Sequence, residues 1–155
     1  TYNAVYDDTK FDFLRKVSRA EWDTLLFFFG VILSVGGLGF IGYLTLLSEY
    51  LYVGIGATYA NIIVGILSAI VDNIPVMFAV ITMRPEMPID QWLLVTLTTG
   101  VGGSLLSIGS AAGVALMGQA RGYYTFFGHM KWTPVIFIGY VVSIYVHILL
   151  SGISL

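Results

Sequence analysis

Three stretches of this chain are each long and apolar enough to cross a bilayer as a helix: about Trp22 to Leu47, about Gln91 to Gln119, and about Trp132 to Leu150. A hydrocarbon core of about 30 Å needs about 20 apolar helical residues. A fourth apolar region, about Gly54 to Met83, is interrupted near its middle by Asp72-Asn73-Ile74-Pro75. The balance of residue types agrees. Hydrophobic residues make up 57% of the 155 and charged residues 10%, against roughly 25% charged in an ordinary soluble domain. Mean hydropathy is +0.88. The net charge of −2 offers no footprint for nucleic acid, and the absence of cysteine excludes disulfides and thiolate metal sites.

The first residues, TYNAVYDDTKFDF, are polar and acidic and lack the basic start and short apolar run of a signal peptide, so the chain reads as a fragment. In KFDFLRKVSRAEW, Phe11, Phe13, Leu14 and Val17 alternate roughly with Lys10, Arg15, Lys16 and Arg19. Residues 1–21 therefore read as an interfacial amphipathic segment, and 22–155 as a membrane domain. Basic residues orient the spans. If the region 54–83 crosses fully, Arg84 is inside while Arg121 and Lys131 are outside. If it dips in and returns, Lys10, Arg15, Lys16, Arg19, Arg121 and Lys131 are all cytoplasmic and Arg84 alone is outside. The second arrangement follows the rule better. It predicts an all-α membrane protein of three transmembrane helices, one broken mid-span, with one re-entrant helical hairpin and an outward C-terminus. Asp90, after the prolines of RPEMPID, is the candidate N-cap of the span it precedes.

A hairpin also explains the interruption. Pro is favoured in the first turn of a helix, and Asp or Asn just before it caps that helix. A first arm over about 57–71 would stop before the tip, and a second would start near Ile74-Pro75. Asp72 alone could be a cap and nothing more. An ionisable residue at membrane depth is nonetheless expected to be functional, because burying a carboxylate costs several kcal/mol and Asn73 could cap without that cost.

A second break is written into TTGVGGSLLSIGSAAGVALMG. Glycines at 100, 102, 103, 109, 113 and 118 accompany serines at 104, 107 and 110. Small residues let membrane helices pack closely, which accounts for Gly113 and Gly118. The cluster from Gly100 to Ser110 reads instead as an unwound centre between two half-helices, with Gly103 and Gly109 shaping it. Ser104, Ser107 and Ser110 would supply hard oxygen ligands suited to a small cation. Discontinuous helices meeting near the midplane are how secondary transporters build their sites.

At these motifs the sequence resembles the ion transporter superfamily, and within it the NhaD-type sodium/proton antiporters. The resemblance is carried by EWDTLLFFFGVILSVGGL, SAIVDNIPVMFAV, GVGGSLLSIGSAAGVALMGQARG and YTFFGHMKWTPVIFIGY. It implies two inverted repeats, each with a hairpin and a broken helix, of which this chain matches the C-terminal one. It implies a bacterial inner membrane, the missing N-terminal repeat as partner, and a homodimer in the complete protein. No cofactor is called for beyond transported sodium and protons. Asp72 would take cation and proton in turn, with Asn73, Ser104, Ser107 and Ser110 supplying further oxygens. Related arsenite exporters share an Asp-Asn tip, so such a substrate is the nearest alternative.

Two other classes compete. Gly102-Gly103-Ser104 with His147 could serve an intramembrane serine protease as nucleophile and base, though that leaves Asp72-Asn73 unexplained. A non-transporting scaffold would use the glycines as packing surfaces and Asp72 as a cap. His129 reads as an interfacial anchor beside Phe127 and Trp132, and His147 as a packed polar contact near the outer surface. Glu21 and Glu49 read as boundary charges, and Trp22, Trp92 and Trp132 as interfacial belts.

Overall fold

The computed structural model of the protein describes Val17 and residues 22–153, and its regular elements are all helical. The expected interfacial segment lies outside the described residues except for Val17, whose carbonyl accepts from the Trp22 indole at 2.9 Å. Glu21 also lies outside them. The chain divides into a first unit, Thr1–Gly30, and a second, Val31–Leu155. Apart from the first part of the first helix, everything built below belongs to the second.

Helix α1, Trp22–Phe40, stops short of the Leu47 expected for the first span. The helix ending at Phe40 turns by 81° into the next. Gly42 makes the turn, with φ at 87°, where a side chain would be strained. After it come α2, Tyr43–Ser48, and a π-helical continuation, Glu49–Ile55. Hydropathy could not register this bend, because the residues on both sides of it are equally apolar. Among the described residues one unbroken helix, Thr133–Ser151, is long and apolar enough to cross a membrane, or two if the bent pair counts as one span. The apolar runs alone predict three.

Helix α3, Ala57–Leu67, is followed by a non-helical tip, 68–72, and then by α4, Asn73–Met83. Both arms keep to 11 residues. Asp72 is the N-cap of α4: its side chain accepts from the Ile74 N–H at 3.3 Å. Pro75 falls in the first turn, where its missing N–H breaks no intrahelical bond. Helix α4 ends at Arg84, held at φ 49° directly before Pro85.

Helix α5, Ile89–Gly102, is the centre of the second unit. Its N-cap is Pro88, not the expected Asp90. Asp90 sits in the first turn, where a carboxylate complements the helix dipole without capping. The contacts of α5 give the direction of its neighbours. Gln91 at its start donates to Thr58 Oγ1 at 2.7 Å and accepts from Asn61 Nδ2 at 2.9 Å. Ser68, just past α3, donates to the Thr99 carbonyl at 2.8 Å. So α3 and α5 run the same way. Met87, just after α4, approaches Asn61 again, so α4 returns antiparallel and 57–83 is a helical hairpin.

Leu94 packs with Tyr140 and Ile144 of α8, Thr133–Ser151. Val95, on another face of α5, packs with Val64, Val76 and Val80 of the hairpin arms. The Tyr140 hydroxyl also donates to the Ile62 carbonyl at 2.9 Å, tying α8 to α3. Outside these faces, α8 exposes Phe137, Val141, Tyr145 and Leu149. An apolar surface of this kind needs lipid or protein over it.

The α3–α5 seam is polar as well as close. Thr58, Asn61, Ser68, Gln91, Thr98 and Thr99 are all buried in it. Interhelical hydrogen bonds in membranes average only about 0.6 kcal/mol each, so such a seam sets register more than it adds strength. Asn61 is the exception in cost. It donates to both the carbonyl and the Oε1 of Gln91 and is fully buried. Asn61→Leu strands the buried Gln91 Oε1, while the Gln91 carbonyl keeps its partner within α5. We expect it to lower stability by about 1–3 kcal/mol, read as an earlier thermal aggregation midpoint of the complete protein. An unchanged midpoint would show that the seam carries no such load.

Candidate functional site

The tip and the second break are pressed together. Helix α5 ends at Gly102, residues 103–110 are non-helical, and α6 runs over Ala111–Gln119. A side chain at Gly102 would run into the Gly65 carbonyl and the Ser68 hydroxyl. One at Gly109 would strike the carbonyls of Ser68 and Ala69 at 2.5 Å. One at Gly103 would lie 3.3 Å from the Asn73 Cβ and 2.8 Å from the Gly109 carbonyl. Only glycine permits backbone to approach backbone this closely, so these residues hold the tip against the break.

The expected site residues are brought together in part. Ser104, Ser107 and Ser110 line one cavity of about 250 Å³ with Tyr124 and His129. Asn73 stands beside Gly103 at the edge of the same break. Asp72 does not line that cavity. It is half-buried at the tip, and the Ile74 N–H uses one of the roughly four acceptor positions of its carboxylate. The serines also differ among themselves. Ser107 is buried and donates to Met117 Sδ at 3.5 Å, Ser110 stands at the N-cap of α6 with no side-chain cap bond, and Ser104 is exposed. Among the described residues, no three His, Cys, Asp or Glu side chains cluster as a metal cage would require.

Three features escape a local reading of the sequence. Ser68 is fully buried beneath the tip and donates to the carbonyls of Gly65 and Thr99, both at 2.8 Å. His129, expected only as an anchor, makes two polar contacts: its Nε2 lies 3.0 Å from the Ser104 carbonyl and its Nδ1 lies 2.7 Å from the Tyr124 hydroxyl. Thr133 donates to the Leu105 carbonyl at 2.8 Å. Spacing could not reveal these, since the partners are 25 and 28 residues apart. The glycines sort differently from expectation too. Gly113 packs on the Ser107 carbonyl, whereas Gly100 and Gly118 have open space where a side chain would go. His147 makes polar contacts, with Nε2 at 3.0 Å from the Asp90 carbonyl and 3.3 Å from Ser151 Oγ. Neither partner is Ser104, so the pair that a serine protease would need is not assembled.

Two interrupted helical elements meeting at polar residues form the architecture with which secondary transporters surround a cargo. The chain belongs to the citrate transporter family, whose model matches residues 11–100. It is 70% identical over 142 residues to the Na(+)/H(+) antiporter NhaD of Alkalimonas amylolytica, covering 92% of this chain. It is 67% identical over 141 residues to the protein of that name from Vibrio cholerae, covering 91% of this chain. Sodium/proton antiporter 1 of Arabidopsis thaliana is 37% identical over 133 residues, covering 83% of this chain. The chain spans only 29%, 30% and 23% of the lengths of these relatives. No solved structure matches it.

Proposed function

We propose that this chain is the C-terminal repeat of a sodium/proton antiporter of the inner membrane, with its cation site between the hairpin tip and the broken helix. The observation that carries this reading is the apposition of Gly109 and Gly103 with Ser68, Ala69 and Asn73, which brings an Asp-Asn tip to the edge of a break bearing three serines. The names of the relatives support sodium and protons as the cargo. The description of the family raises citrate as a second cargo. The carboxylate at the tip argues against an anion there, and it bears equally on an arsenite-type anion.

Each hairpin arm of 11 residues is about 16 Å long, roughly half the hydrocarbon thickness. That length supports a re-entrant hairpin that dips to the midplane and returns, with the C-terminus outward. The remaining half of the site comes from the other repeat, and the complete protein is a dimer on this reading. Exchange follows from competition. A sodium ion and a proton claim the same oxygens of Asp72, with Asn73, Ser104, Ser107 and Ser110 completing the cation's shell. The cap bond from Ile74 leaves enough acceptor capacity for either. Alternating exposure to the two faces then couples the two fluxes.

The test is a pH gradient read by a fluorescent amine in vesicles carrying the complete transporter. Sodium addition should collapse an imposed gradient, and citrate should not. Dissipation by citrate with no response to sodium would overturn the assignment. Among the serines, Ser107→Ala should raise the half-saturating sodium concentration by about three- to tenfold, the scale of one lost neutral ligand at about 1 kcal/mol. Equal effects at Ser104 and Ser107 would contradict the greater burial of Ser107.

A further inference from the structure

The break leaves backbone carbonyls without helical partners, and such groups need donors from elsewhere. Two donors come from one short stretch of chain after α6. His129, in the single helical turn α7, Phe126–Met130, meets the Ser104 carbonyl. Thr133, at the start of α8, meets the Leu105 carbonyl. A carbonyl only accepts, so His129 Nε2 carries the hydrogen. Its Nδ1 is then free to accept the Tyr124 hydroxyl proton, which fixes the ring. The same imidazole and phenol wall the cavity that the three serines line.

We propose that His129, oriented by Tyr124 and joined by Thr133, clamps the non-helical segment so that its serines stand where a cation can be held. His129 is a positioning residue: both ring nitrogens are taken up by the Ser104 carbonyl and the Tyr124 hydroxyl, so it acts through the Ser104 backbone. This rests on the antiport reading of the site. The residue it holds, Ser104, lies within the non-helical segment 103–110, which must keep one shape for its hydroxyls to converge. Loss of the donor should loosen that shape and weaken cation binding, while the moving parts of the transporter are left alone.

The experiment uses the complete transporter in vesicles and measures both half-saturating sodium and maximal rate. His129→Leu should raise half-saturating sodium by about tenfold, the size of one charge-free clamp bond lost at about 1.4 kcal/mol, with the maximal rate within about twofold of wild type. His129→Gln places an amide donor near the position of Nε2 and should recover most of that loss. Thr133→Val should raise half-saturating sodium by about threefold. An unchanged half-saturation in His129→Leu would overturn the clamp, as would a fall in maximal rate alone. A Gln variant as impaired as Leu would overturn it too, because the donor would then not be the property that matters. If His129→Leu fails to accumulate, Thr133→Val and His129→Gln decide: unaltered sodium dependence in the first, or lost affinity in the second, refutes the proposal. Asp72→Asn in the same vesicles separates the two levels. Exchange that survives it removes the cation site itself, whereas an intact site with a silent His129→Leu removes only the clamp.

Discussion

Replacing Asp72 with Asn should abolish sodium-driven proton exchange in the complete transporter while leaving its yield in the membrane unchanged. The substitution separates two roles. Asp72 caps α4 through a bond to the Ile74 N–H, and Asn caps a helix about as well as Asp. The cap therefore survives and the charge is lost. Without the charge nothing at the tip can exchange a cation for a proton. Losing a charged ligand costs about 1.5–3 kcal/mol, roughly ten- to a hundredfold in occupancy. Asp72→Ala adds loss of the cap, about 1 kcal/mol of stability, and should lower both exchange and yield. Retained exchange in Asp72→Asn would mean that Asp72 is a cap alone, as a scaffold would have it.

The second large effect is steric. Gly102→Ala should destabilise the protein by at least about 1–3 kcal/mol, the range for overpacking a tight interface. Its Cβ would meet the Gly65 carbonyl, and backbone cannot yield as a flexible side chain can. Helices α3 and α5 would have to separate, and the tip would leave the break. Gly100→Ala, two residues earlier on the same helix, meets nothing within 4 Å. It should stabilise by up to about 1 kcal/mol through helix propensity. Thermal aggregation midpoints of the purified complete transporter, compared for the two variants, check the contrast. Equal midpoints would mean that the close approach at Gly102 is not a constraint on the fold.

These two residues also mark how far local pattern carries. The hairpin was readable because Asp72, Asn73 and Pro75 are a stop and a start in four residues, and the structure places α4 from Asn73. The break was readable because six glycines and three serines crowd a span that apolar residues should fill; the structure narrows it to 103–110. The last helix, Thr133–Ser151, begins within one residue of the expected Trp132 because Pro134 marks its first turn. The bend at Gly42 was hidden by uniform hydropathy. Which glycines pack closely was hidden because that depends on the partner helix: Gly100 and Gly102 look alike until α3 lies against one of them. The donors to the break were hidden for the same reason. His129 follows Phe127 and Thr133 follows Trp132 in sequence, and only the return of the chain brings them to Ser104 and Leu105.

The most direct test of competition at one carboxylate is proton release. Sodium is added to the purified complete transporter in weakly buffered solution, and the pH change is recorded. Cation binding at Asp72 should expel a proton, so the medium acidifies, and Asp72→Asn should release none. Equal proton release from wild type and Asp72→Asn would place the exchange elsewhere and contradict the account.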